Sequence, residues 1–255
     1  HHGEPPRPAL WESAPFEIRA RLGAWQDLFR HKQMARFASW RELLAAFAAN
    51  DLPVIPLKGF VLSQYLYADP FRRNSSDFDL LVRPADRERA RRLLLEIGFT
   101  CVIEGGPRLA HGACWQKAGE KPDGGVNLDL HWAIRPAWHF IAMDERRLWE
   151  RSAPAETAGV PHRALAPLDT ALVALIMNVS DYGHANLRGC VEAMECVARL
   201  DAANGAELVR CLRRGASLRI LAALEALRLA ACPGSDAGWL PAAATPLPPL
   251  RWRSE

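Results

Sequence analysis

The stretch that decides the fold is Ser76-Asp77-Phe78-Asp79-Leu80-Leu81-Val82. Side chains alternate across a strand, so Asp77 and Asp79 share one face, while Phe78, Leu80 and Val82 share the other and are available to a core. Carboxylates at i and i+2 stand roughly 7 Å apart at Cα, from a rise of about 3.4 Å per residue. Their oxygens can converge on a hard cation. Without one they repel, and one of them tends to hold a proton.

A second segment, Asn127-Leu128-Asp129-Leu130-His131-Trp132, repeats the pattern. Leu128 and Leu130 make an apolar face; Asn127, Asp129 and His131 make the polar one. If the two strands are neighbours, Asp129 joins Asp77 and Asp79. Three carboxylates on adjacent strands can hold two Mg²⁺ ions about 3.5–4 Å apart, the arrangement used for in-line displacement at phosphorus. Asn127 and His131 would then stand behind the carboxylates as supporting groups. Upstream, Pro56-Leu57-Lys58-Gly59-Phe60 runs from a strand through a glycine turn into a helix. A helix N-terminus offers free N–H groups to a phosphate. Lys58, Arg72 and Arg73 are candidate phosphate cations, and Gly59 would let a nucleotide approach the backbone.

Around these motifs, the expected architecture is α+β: a small mixed sheet packed on helices, with N-terminal helices and a helical C-terminal half. Three parts are expected. Residues 1–50 read as two or three helices. Residues 51–165 hold the core, with strands at Pro53–Leu57, Asp77–Val82, Phe99–Glu104, Ala113–Lys117 and Val126–Trp132, and helices at Phe60–Tyr67 and Pro84–Ile97. Residues 166–255 carry helices at Leu168–Val179, Leu187–Leu200, Glu207–Arg213 and Leu218–Ala231, then an irregular tail from Pro233.

Composition narrows the class. The chain has 255 residues, a net charge of +3, 49% hydrophobic and 24% charged residues. These values exclude disordered, collagenous and coiled-coil classes. The charge is too small for a general nucleic-acid binder. No run approaches the roughly 20 apolar residues of a membrane span, and the stretch after His1-His2-Gly3 lacks the apolar block expected of a signal peptide. The six cysteines contain no CxxC pair and read as reduced, mostly buried thiols, which points to the cytoplasm.

Each motif alone has a plainer reading. A DxD often lies on an exposed edge or turn, an Arg-rich stretch such as 83–92 is commonly a solvated helix face, and a strand histidine is commonly a hydrogen-bonded core residue. Their order carries more than any one of them: strand, glycine turn, helix, DxD strand, helix, strands, then a strand with one Asp.

That order resembles the DNA polymerase β nucleotidyltransferase superfamily. More narrowly, it resembles a bacterial nucleotidyltransferase-like family with an LKG…R…DxDLLV…DLHW pattern. The matching residues are Leu57-Lys58-Gly59, Tyr67, Arg72 or Arg73, Asp77 to Val82, Gly98-Phe99, Asp129-Leu130-His131-Trp132, and Leu148-Trp149 with Arg151-Ser152-Ala153. The chain departs from the broad superfamily at the phosphate turn, where Gly59-Phe60 stands for the usual Gly-Ser or Gly-Gly. The resemblance implies transfer of a nucleoside monophosphate from an NTP, ATP foremost, to an acceptor hydroxyl, with Mg²⁺ (or Mn²⁺) and release of pyrophosphate. Asp77, Asp79 and Asp129 would be the catalytic and metal-binding residues, and Lys58, Gly59, Arg72 and Arg73 would bind nucleotide. Some members lie beside lasso peptide genes, so the implied acceptor is a small molecule or a peptide natural product. Alternatives are a nucleotide- or partner-binding module of the same fold, and a toxin-like nucleotidyl- or phosphotransferase acting on tRNA or protein. A hydrolase using His131, His139 and His184 lacks any HExxH-type spacing.

Overall fold

The computed structural model describes residues 15–104, 111–119, 125–134, 143–180 and 187–214. Both acid-bearing segments lie in one five-stranded mixed sheet.

The chain enters as a single helix, α1 (Phe16–Ala49). Two or three helices were expected there. No proline interrupts the span between Pro15 and Pro53, however, so the backbone continues and only the buried face changes. Trp40, Leu43, Leu44 and Phe47, at i, i+3, i+4 and i+7, are buried against the sheet, whereas Phe16, Trp25 and Leu28 are exposed.

Next come β1 (Ile55–Pro56), α2 (Phe60–Tyr67) and β2 (Asp77–Leu81). Only two residues of the expected Pro53–Leu57 strand pair as a strand. Pro53 and Pro56 donate no backbone hydrogen bond, which suits an edge. The expected Pro84–Ile97 helix begins as a 3₁₀ turn (Pro84–Asp86) and becomes α3 (Arg87–Glu96). Then follow β3 (Thr100–Glu104), β4 (Gly112–Lys117) and β5 (Val126–His131), close to their expected positions.

Two elements were not foreseen. One is the short helix α4 (Glu145–Arg151), whose first turn is capped by Asp144 accepting the Arg147 N–H. The other is a hairpin, β6 (Ala153–Thr157) with β7 (Val160–Ala164). Its turn residues Ala158 and Gly159 both have positive φ, 47° and 81°, as a two-residue type I′ turn requires. The C-terminal helices are α5 (Pro167–Ala174), continued by a π-helical stretch Leu175–Ser180, then α6 (Leu187–Ala198) and α7 (Ala202–Arg214). The expected helix Leu218–Ala231 and the tail from Pro233 lie outside the described residues.

The strand order is β1-β2-β5-β4-β3. The β2–β5 pair is parallel and the other pairs are antiparallel. Alternation along the strands sorts the core. Phe78, Leu80, Leu128, Leu130 and Trp115 pack with α1 and α3 residues such as Phe47 and Leu94. Leu81, on the acid face, joins Ile134, Trp149 and the C-terminal helices in a second cluster. Among the described residues, no helix is long and apolar enough to cross a membrane.

Candidate active site

The start of β2 is held from behind by α1. Gln33, fully buried, donates to Asn74 Oδ1 and accepts the Ser75 N–H, each at 3.0 Å. Arg36 donates to the Ser75 carbonyl. With this loop anchored, the DxD strand enters the sheet in one register: Asp77 opposite Asn127, Asp79 opposite Asp129, and Leu81 opposite His131. The condition set by the sequence, that the two acid-bearing strands be neighbours, is met.

Asp79 is 5% exposed. Its Oδ1 pairs with Lys58 Nζ at 3.2 Å and stands 3.4 Å from His131 Nε2. Burial pushes this carboxyl upward, but the Lys58 charge and the His131 contact outweigh it and hold Asp79 below the usual carboxylate range. Asp129 goes the other way. Burial raises it, and the negative charges of Asp79 and Asp77 add to the rise, against the opposing pull of Cys114 and His131. Cys114 lies directly opposite Asp129 on β4. Burial and then Asp129 push its thiol up to about 12, so the thiol keeps its proton and offers it to the carboxylate. Composition gave Cys114 no role; the alternation of β4, with Ala113 and Trp115 on the core face, was the available signal.

The structure brings Asp79, Asp129 and His131 together, with one ligand atom of each within 4.8 Å of the others. Asp77 shares the strand face but is not in that set. It is half-buried and accepts a hydrogen bond from Ser76 Oγ. Asn127, its cross-strand partner, is exposed.

Lys58 and Gly59 follow β1 directly. Leu57 N–H donates to the Asp79 carbonyl at 2.9 Å, which ties this turn to the acid strand. Gly59 has φ 70° and ψ −127° at the N-terminus of α2, a conformation that only glycine adopts readily. A Cβ there would lie 3.0 Å from Ser75 Oγ. Lys58 thus contacts Asp79 itself, not only the space a phosphate would fill.

The two arginines separate. Arg72 is exposed, with its guanidinium over the Tyr67 ring. Arg73 is buried, and its Nε donates to Glu192 Oε1 on α6 at 2.8 Å. Its charge is thereby matched inside the protein. His139 and His184 lie outside the described residues.

These residues suit a divalent cation. Two carboxylates lie side by side in a parallel register, burial and then the Asp79 charge raise Asp129, and an imidazole nitrogen lies within 4.8 Å of both. A search of curated proteins finds no match to this chain. Among solved structures it is similar to the solution structure of the antibiotic-resistance factor ANT(2″)-Ia, at 16% identity over 78% of this chain and 98% of that one, with a TM-score of 0.49. A crystal structure of ANT(2″)-Ia in complex with adenylyl-2″-tobramycin gives 17% identity, 75% and 98% coverage and a TM-score of 0.42. An antigenic nucleotidyltransferase-like protein from Paracoccidioides brasiliensis gives 15%, 73% and 90%, and 0.43. Residues 6–232, nearly the whole chain, match the family model described as uncharacterised nucleotidyltransferase, and the chain belongs to that family of nucleotidyltransferases.

Proposed function

We propose that this nucleotidyltransferase moves a nucleoside monophosphate from an NTP, ATP foremost, to a hydroxyl of a small molecule or peptide natural product, releasing pyrophosphate. The observation that supports this reading best is the in-register pairing of Asp79 with Asp129, beside Lys58 and the Gly59 turn.

Asp77, Asp79 and Asp129 would hold Mg²⁺, or Mn²⁺ in its place. When bound, the cation offsets triphosphate charge and lowers the barrier to attack at the α-phosphorus. The remaining work falls to side chains of this protein. Asp129, fixed opposite Asp79 on β5, takes the proton of the acceptor hydroxyl on a carboxylate oxygen. The acceptor oxygen bonds to the α-phosphorus, and the bond to the bridging oxygen of pyrophosphate breaks. Lys58, the N–H groups at the start of α2, and the exposed Arg72 would stabilise charge on the leaving phosphates. Arg73 would act through Glu192 by fixing the loop ahead of the DxD strand.

Pyrophosphate release from each of the four NTPs, with hydroxyl-bearing small molecules and with peptides as acceptors, tests the reading. Release that depends on an acceptor and disappears in Asp79→Asn supports it. Tight NTP binding with no release under any pairing would indicate a binding module instead.

A further inference from the structure

We propose that His131 ligates the divalent cation directly, joining Asp79 and Asp129 in a mixed nitrogen and oxygen site that favours transition-metal ions over Mg²⁺. This rests on the transfer reading for its purpose, though not for its geometry.

Three observations carry it. First, the distances nearly close. Donor atoms of Asp79, Asp129 and His131 lie within 4.8 Å of one another. Neighbouring ligands bound at about 2.1 Å stand about 3.0–3.5 Å apart; Asp79 Oδ1 and His131 Nε2, 3.4 Å apart, already have that spacing, and an approach of about an ångström by Asp129 completes the set. Second, the ring nitrogen that faces the acids is weakly used: His131 is 8% exposed, and its Nε2 meets Asp79 Oδ1 only at a long 3.4 Å. Third, the sheet keeps room for the ring. Gly112 lies opposite His131 on β4, and a Cβ there would come within 3.3 Å of Nδ1 and 3.0 Å of the Leu130 carbonyl.

The donor set decides the ion. Carboxylates and water suit Mg²⁺, whereas an imidazole shifts preference toward ions such as Zn²⁺ and Co²⁺, with Mn²⁺ accepting both kinds of donor. Lys58 on Asp79 Oδ1 balances charge before the cation arrives.

The test is pulsed electron paramagnetic resonance of the full chain with Mn²⁺ alone. The expected wild-type spectrum shows nitrogen coupling from one imidazole. His131→Gln should bind Mn²⁺ about tenfold or more weakly and lose that coupling, and His131→Asn should do the same if the glutamine variant does not fold. In wild type, Zn²⁺ should displace Mn²⁺ at least about tenfold better than Mg²⁺ does, and that advantage should shrink in the variant. A wild-type spectrum with oxygen coordination alone overturns the assignment. So does nitrogen coupling that persists without His131, for instance from His1-His2. Pyrophosphate release is measured separately. Nitrogen coupling without release leaves the ligand assignment standing and removes the transfer reading; release with oxygen-only coordination does the reverse.

Discussion

Asp79 and Asp129 face each other across a parallel strand pair and titrate in opposite directions. Asp79 has Lys58 and His131 beside it, which overcome its burial; Asp129 is raised by burial and by the Asp79 charge, which outweigh the Cys114 thiol and His131. The residues are chemically identical, and their neighbours divide them into a firmly ionised anchor and a more basic partner.

That division predicts unequal effects on stability. Asp79→Asn leaves Lys58 largely buried without its counter-charge and should cost about 1–3 kcal/mol. Asp129→Asn removes a partly buried charge and its repulsion by Asp79, and should leave the melting temperature unchanged or higher. Both should abolish most turnover. Thermal melts beside pyrophosphate assays check the pattern, and an Asp129→Asn variant that unfolds would contradict it.

The pH dependence follows with a definite sign. The raised carboxyl of Asp129 means that the folded chain holds a proton the unfolded chain releases. Its stabilising contribution is complete below about pH 4 and is lost as pH rises through the raised value. In chelator, the stability advantage of Asp129→Asn over wild type should therefore grow with pH in urea titrations. Asp79 is lowered, so its contribution is present at neutral pH and lost as pH falls below the ordinary carboxylate range; Asp79→Asn should cost most near neutrality.

Cation binding should stabilise the fold. At a hundredfold excess over Kd the gain is about 2.7 kcal/mol. Mn²⁺ should raise the melting temperature of wild type, chelator should reverse the rise, and Asp129→Asn should show little of it. An equal rise in both proteins would place the cation elsewhere.

Much of the sheet was legible because strict alternation leaves few options: Phe78 and Leu80 had to face a core, and so did Leu128 and Leu130. The register was not legible. Nothing local in either segment sets Asp79 opposite Asp129; the anchoring of Asn74 and Ser75 by Gln33 and Arg36 depends on residues far away in sequence. The hairpin was hidden by Pro154, Pro161 and four alanines, which are poor strand formers. The single helix α1 was misread because a change of buried face mimics a break.

Arg73 shows the same limit from the other side. Sequence gave it and Arg72 equal claims on phosphate, and only the fold separates them. Breaking the buried Arg73–Glu192 pair by Glu192→Ala should cost about 3–5 kcal/mol, and Arg73→Met with Glu192→Leu should recover most of it. Arg72→Ala should spare stability and raise KM for the nucleotide. Chemical denaturation and NTP titrations separate the two.

Gly59→Ala offers a sharp local test. Alanine at φ 70° is strained, and its methyl would press on Ser75 Oγ. The variant should lose about 1–2 kcal/mol and bind NTP more weakly, while Gly23→Ala, where a Cβ meets nothing within 4 Å, should do neither.

The parallel pairing of β2 with β5 also bears on how the protein comes into being. Parallel neighbours cannot be joined by a tight turn, so α3, β3 and β4 are made between the two halves of the acid pair. During synthesis on the ribosome, β2 emerges with Lys58 and Asp79 before Asp129 is made. On the proposed reading, a growing chain would lack half of the acid pair until the segment around residue 129 takes its place between β2 and β4, and the two carboxylates would meet only then.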